Sequence, residues 1–237
     1  MKLFIVLAII VVLGLGGWMY TSRNSDTATT TPDVATTTET TTTTPTPVME
    51  DGAGGPEVAR GVYIDGSYTL ETGLSSINWT GSKTLIKNYK DSGTLSFSSG
   101  SVVVSNGNVT GGTFTIDMDS FNVTSTSNTK ATGDMLENHL KSEDFFEVAT
   151  YPTATVEINN VVNGIVSADV TIKGVTKTIS FPATITQDGM ALTGSAAITI
   201  DRTLWNIQYG STKFFGDLGN SVIDDKVTLM LTLRATK

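Results

Sequence analysis

The chain contains one histidine, His139, and no cysteine. Without thiols there is no disulfide framework, no thiolate metal ligand and no cysteine nucleophile. A single imidazole rules out a multi-histidine metal site. Ser142 and Glu143 follow His139 closely. A nucleophile–base–acid triad, however, is defined by convergence in space, which neighbours in sequence do not supply. No nucleophile elbow and no phosphate loop is present. The pairs Asp117/Asp119 and Asp224/Asp225 offer the hard oxygens that calcium takes, but no EF-hand spacing surrounds them. Asp117 and Asp119 share one face of an alternating run, an ordinary place for solvated acids. These residues predict no enzyme, no metal and no cofactor.

The histidine lies in a stretch unlike the rest of the chain. Met135, Leu136, His139 and Leu140 recur at the spacing of one helix face. Thr132 or Asp134 can cap its start. Phe145 and Phe146 follow, and Tyr151-Pro152 ends any helix before the next element. On that face His139 either bonds a backbone carbonyl and fixes the helix to the domain, or meets the polar end of a ligand.

Around this helix the period is two. Ile77 and Trp79 alternate with polar neighbours, as do Phe114, Ile116 and Met118. The pattern continues through Ala154–Ile158, Val170 and Ile172, Ile179 and Phe181, and Val227, Leu229, Leu231 and Leu233. Such runs bury one face and wet the other. Asn106-Gly107, Asn163-Gly164, Lys173-Gly174 and Asp188-Gly189 sit at hairpin distances between them. Roughly eight antiparallel strands and one helical insertion result, with no helices to cover the sheet edges. Closure into an up-and-down barrel removes those edges. The helix then sits at one mouth. A barrel of that size is filled by side chains or holds one small ligand.

Phe97, Phe121 and Trp205 join the aromatics above. Together with Ile116, Met118, Ile172, Leu229 and Leu231, and with Met135, Leu136, His139 and Leu140 of the helix, they form the candidate lining. A packed core and a ligand cavity both place these groups inward. Two readings therefore stand: a barrel with a ligand cavity, and a solid barrel displayed as an interaction module.

The N-terminal part has another character. Residues 1–23 carry an unbroken apolar run from Leu3 to Tyr20 behind Lys2. As a helix the run would reach about 27 Å, close to a hydrocarbon core. An uncleaved anchor with Trp18 and Tyr20 at the interface is preferred to a signal peptide cut after Gly14-Leu-Gly16. The run is long for a signal core, and glycine substitutes poorly for alanine at a cleavage site. Residues 24–59 hold 13 threonines, six acids and no base, too little apolar surface to fold. They read as a disordered spacer whose ends lie about 35 Å apart. Residues 60–237 form the barrel domain. The net charge of −8 includes no basic cluster, so nucleic acid is not an expected partner.

Four ordered motifs add a family resemblance. His139-Leu-Lys-Ser-Glu-Asp-Phe-Phe-Glu-Val148 with Tyr151-Pro152 resembles the signature of the YceI-like lipid-binding family. Gly111–Asp119, Ala168–Pro182 and Ile200–Gly210 resemble its preceding strand, following hairpin and late turn. The match spans roughly residues 63–236. The resemblance implies an extended lipocalin-like barrel that holds a long amphiphilic lipid, such as a polyisoprenoid or an isoprenoid quinone. It also implies a role in carriage, storage or sensing rather than catalysis. The expected partners are that lipid, the membrane through the N-terminal helix, and optionally a second copy of the chain as a homodimer. The expected location is the extracytoplasmic side of a membrane.

Overall fold

A computed structural model describes residues 63–237. The expected membrane helix and spacer lie outside the described residues. Ten strands form one antiparallel sheet. Strand β1 is Gly66–Leu70 and β2 is Ser76–Ser82, parted by a 3-10 turn at Thr72–Leu74. The two longest follow, β3 at Lys90–Ser105 and β4 at Asn108–Thr126. The helix α1, Gly133–Lys141, precedes β5 at Thr153–Val162. Then come β6 at Ile165–Ile172, β7 at Val175–Pro182 and β8 at Thr184–Asp188. Strand β9 is Ala191–Asp201 and β10 is Lys226–Thr236.

The count exceeds the eight expected, for two reasons. β1 and β2 share one place in the sheet, each pairing β3 on one side and β10 on the other. β8 and β9 flank the expected Asp188-Gly189 turn, but the small residues of β9 keep it from reading as an alternating run. The order is β7-β6-β5-β4-β3-β1-β10-β9-β8, with β2 beside β3 and β10. The hydrogen-bonded ladders end on β7 and β8. The turn is closed instead by the chain passing from Pro182 through Ala183 into β8, and by β7 lying beside β9.

The hairpins follow their turn chemistry. Asn106 and Gly107 have φ of 52° and 70°, and Asn163 and Gly164 have 52° and 76°. Both central residues are left-handed, as the twist-matched two-residue turn requires. Four register shifts along β3 and β4 bend these strands around the lumen. Gly93 stands at one of them. A Cβ there would collide with the Asn122 carbonyl oxygen and lie 2.7 Å from the Trp79 ring, so the absent side chain lets β4 approach closely and leaves room for the indole. A second irregularity explains why Met118 and Phe121, three residues apart, both point inward. The Ser120 hydroxyl donates to the Asp117 carbonyl and accepts from the Ser96 N–H, which turns the strand by one residue between them.

Candidate functional site

The strands enclose a cavity of about 430 Å³, within the range of small-molecule sites. Its wall is the inward face that the period-two pattern marks. Trp79, Phe97, Phe114, Ile116, Met118 and Phe121 line it from β2, β3 and β4. Ile172, Phe181, Leu229 and Leu231 line it from β6, β7 and β10, and Trp205 from the β9–β10 connection. Leu136, His139, Leu140, Phe145 and Phe146 bound its upper end. Met135 does not belong there. It is 59% exposed in the first helical turn, one residue and about 100° away from the inward stripe of Leu136 and Leu140.

The two ends of the cavity differ. At one end Tyr68, Val104, Val109, Leu192 and Ala235 pack as a separate buried cluster. The Tyr68 hydroxyl donates to the Ile64 carbonyl at 2.6 Å and accepts from Gln187 Nε2 at 3.0 Å. At the other end stand α1 and the long connections 83–89, 127–152 and 202–225.

The helix is capped at its start and tied to the wall near its end. Thr132 Oγ1 accepts from the Met135 N–H at 3.3 Å, the N-cap that the sequence offered. Lys141 Nζ bridges Glu137 at 3.0 Å and Asp119 on β4 at 3.3 Å. Leu140 is buried against the core.

His139 lines the upper end of the cavity, and its hydrogen-bond partner is a side chain where a backbone carbonyl was expected. Its Nε2 lies 3.1 Å from Asp144 Oδ2. The carboxylate is an acceptor only, so this nitrogen carries the proton. The ring is flanked edge-on by Phe145 and Tyr209, with centroids 5.0 and 4.9 Å away. It therefore ties α1 to the following loop and to the 202–225 connection through a side-chain partner rather than a backbone carbonyl. The Ser142 hydroxyl donates to the His139 carbonyl at 2.7 Å. It closes the helix end.

The 202–225 connection is held by Arg202, which is 3% exposed. Its guanidinium donates to the carbonyls of Asp224, Ile207 and Ile223 at 3.0, 2.7 and 3.3 Å, and lies 3.6 Å from Asp225 Oδ1. Burial pushes its pKa below the ordinary value, against the charges of Asp225, Asp201 and Asp224. Trp205, fully buried, donates its indole N–H to the Val170 carbonyl at 3.0 Å. Asp224 and Asp225 thus serve this brace. Among the described residues no cluster of three or more metal-ligating side chains occurs.

Several lining residues escaped the sequence reading. Ile198 and Ile200 of β9 alternate with Ala197 and Thr199, but the small residues before them blurred the signal. Tyr209 lies inside a motif that reads as a turn. Lys83, at the cavity's rim, carried no local pattern at all.

Among the described residues, a β-barrel of lipocalin-like kind with an apolar cavity and a helix at its mouth is the class that fold and site define. The model of the YceI-like domain matches residues 68–235, and the chain belongs to that family. The Burkholderia cenocepacia protein BcnA is similar in structure, with a TM-score of 0.56 and 23% identity over 70% of this chain and 99% of that one. A polyisoprenoid binding domain from Saccharophagus degradans, implicated in plant cell wall breakdown, gives 0.53 and 20% over 71% and 97%. These likenesses show the fold. No curated protein matches the chain.

Proposed function

We propose that the barrel binds one long apolar chain of an amphiphilic lipid, of polyisoprenoid or isoprenoid-quinone type, with the polar end toward the mouth under α1. The observation that carries this is the cavity itself. About 430 Å³ is left inside a wall of apolar side chains, where a solid interaction module would be filled. The similarly folded Saccharophagus degradans protein is described as polyisoprenoid binding, which supports the same ligand class here. The apolar run Leu3–Tyr20 and the Thr-rich segment after it support an exported domain tethered to the outer face of a membrane.

Energetics shape the function. Withdrawing about 20 methylenes from water is worth roughly 16 kcal/mol. A lipid taken from a bilayer has already gained this, so transfer into the barrel is nearly neutral. Selectivity then rests on chain fit and polar-end contacts, and the ligand can be returned to a membrane. Native mass spectrometry of the purified protein tests the reading. A non-covalent hydrophobic adduct, exchangeable with added polyprenol, is expected. Protein that stays adduct-free after exposure to polyprenol-loaded vesicles would leave the barrel an empty interaction module.

A further inference from the structure

Among the described residues the exposed aromatic rings fall in one short stretch: Tyr209, Phe214 and Phe215, at 41%, 47% and 47% exposure. They stand at the α1 end. Tyr209 packs on His139, and the exposed Met135 lies one helical turn before that histidine. Leu85 and Leu204 are exposed in the 83–89 and 202–225 connections. These two connections meet where the Asp224 N–H donates to the Ser82 carbonyl at 2.9 Å. Six apolar side chains on three separate elements therefore ring the entrance to the cavity. Exposed apolar groups elsewhere are aliphatic, such as Val162 beside its hairpin turn and Met230 on the outer wall. The phenyl rings are held in place. Ser211 is fully buried, and its carbonyl accepts from the Phe214 and Phe215 N–H groups at 3.2 and 3.1 Å. Its hydroxyl accepts from the Lys213 N–H at 3.2 Å, and Lys213 Nζ is bound to Asp201 and Asp225. The turn directs its polar groups inward and two adjacent phenyl rings toward water. Exposed apolar surface of this kind marks an interaction site.

We infer that this ring is a membrane-docking surface, which seats the barrel mouth-down on a bilayer with Phe214 and Phe215 in its interfacial layer. The choice of a bilayer as occupant rests on the lipid-binding reading above. The Tyr68 cluster fills the other end, so a lipid chain enters past this ring. Separate apolar tips around an opening suit a fluid surface, into which each tip inserts on its own. A protein partner needs one contiguous, matching face. Phenyl rings and methionine gain their burial about 5–10 Å into the boundary of headgroups and acyl chains. Beside Leu85, the segments 83–89 and 127–133 hold Lys83, Lys87 and Lys130 and no acid. They border a polar cleft lined by Lys83, Tyr89, Asn128 and Lys130. Lysines beside apolar tips suit the anionic lipids of a bilayer surface. Asp134 and Asp217 also adjoin the ring, so the attraction is local to one side of it. The Tyr63 N–H bonds the Gly107 carbonyl at the closed end, so the chain before it departs opposite the ring. Residues 24–59 reach about 120 Å when extended, against about 60 Å for the 19-residue β4. That length lets a tethered domain turn its mouth to the membrane.

The chain has no cysteine, so a single introduced one takes a polarity-sensitive nitrobenzoxadiazole label at a unique place. Gly216→Cys puts the label beside the rings, where an added Cβ meets nothing within 4 Å. Val162→Cys puts it at the exposed closed end. Full-length protein is combined with phosphatidylethanolamine–phosphatidylglycerol vesicles, with and without nitroxide-labelled lipid. The label at 216 should lose at least about half its emission to the nitroxide and the label at 162 almost none, although the same N-terminal segment precedes both. Phe214→Ser/Phe215→Ser in the Gly216→Cys background should remove most of that quenching. Its melting temperature and its polyprenol adduct in native mass spectrometry should be unchanged. The rate at which polyprenol from vesicles loads the barrel should fall by about tenfold or more. Quenching equal at both positions, or absent at both, would overturn the docking surface, and a persisting polyprenol adduct would then spare the lipid reading. Quenching at 216 that survives loss of both rings would overturn their role. Self-quenching of the 216 label in detergent that rises with protein concentration would overturn the bilayer and assign the ring to a second copy. Docking by protein that takes up no polyprenol would keep the surface and remove the lipid reading alone.

Discussion

The two ends of the barrel are held by different kinds of interaction. The Tyr68 end is closed by short turns and apolar packing. Its turns are two-residue hairpins at Asn106-Gly107 and Asn163-Gly164, and Asp65 accepts from the N–H groups of Asn106 and Gly107 at 3.1 and 2.8 Å. Apolar packing around Tyr68 fills the lumen there. The α1 end has long connections whose backbone cannot pair in ladders. There, charged side chains do the positioning: Arg202 for one connection, Lys141 for the helix, His139 with Asp144 between them. A closed floor needs only local turns and packing. An entrance that keeps its shape without being filled needs polar braces anchored in the wall.

That contrast is broken most severely at Arg202. Arg202→Met keeps much of the side-chain volume but removes every guanidinium donor. The carbonyls of Asp224, Ile207 and Ile223 then lose this donor, and Asp225 keeps Lys213 alone, 3.2 Å from its Oδ2. Asp225 Oδ1, without a hydrogen bond among the described residues, loses the guanidinium charge beside it. Losing one side of such a buried pair costs about 3–5 kcal/mol. Thermal denaturation should show a large drop in melting temperature. A drop no greater than that of an ordinary surface substitution would mean the connection is held by Trp205 alone.

The next largest effect tests whether the space between the ends is open. Ile116 lines the cavity from β4, and Thr115 points the other way. Ile116→Asn introduces an amide that would cost about 1–3 kcal/mol if it stayed unpaired and dry. With room for water once lipid is excluded, the fold should survive while lipid occupancy falls. Thr115→Asn should change neither. Unfolding by Ile116→Asn with no lipid bound to the parent would describe a solid core.

The same two regions explain what was legible beforehand. The wall and its hairpins follow from local rules. Alternation turned Phe114, Ile116 and Met118 inward, and the Asn-Gly pairs fixed the turns. The helix was readable from Thr132 and from Leu136 with Leu140. Met135 misled because hydrophobicity marks a face but not where along the helix that face leaves the protein. His139 was recognisable as a fixed residue, yet its partners Asp144 and Tyr209 are chosen by the packing of the long connections. Lys83 and Lys130 lie 47 positions apart by their numbering, and only the pairing of β2 and β4 with β3 brings the loops that carry them to one polar cleft. Hydrogen-bond braces and clefts assembled from separate loops have no period, so sequence alone does not display them.

A smaller effect belongs to the closed end. Tyr68→Phe keeps the ring in its cluster and removes only the hydroxyl. Gln187 Nε2 retains the Gly189 carbonyl at 2.9 Å, so one of the two lost bonds is partly compensated. The cost should be about 1 kcal/mol, read as a modest shift in denaturant midpoint with an unchanged slope. Lipid occupancy should not move, since the ring still seals the floor. A fall in occupancy would show that the hydroxyl, rather than the packing, closes that end.

The smallest effect is electrostatic and lies at the entrance. Burial works to raise the Asp201 pKa, but hydrogen bonds from Lys213 and Thr203 outweigh it and hold the carboxyl below its ordinary value. Lys213 Nζ sits 2.6 Å from Asp201 Oδ2 and 3.2 Å from Asp225 Oδ2. A carboxyl depressed in the folded state binds its proton more readily when unfolded. Its contribution is therefore present above the unfolded value, near pH ~3.9, and is lost as the pH falls through the lower folded value. In Asp201→Asn that contribution is missing at every pH. Parent and variant should differ slightly at pH 7, because Lys213 is half exposed and keeps Asp225 as a partner. Below the ordinary aspartate range the two melting temperatures should converge, the parent falling faster. A gap that stays constant from neutral to strongly acidic pH would show that Asp201 acts only by capping the turn at Thr203, and that the Lys213 pair adds nothing to the entrance.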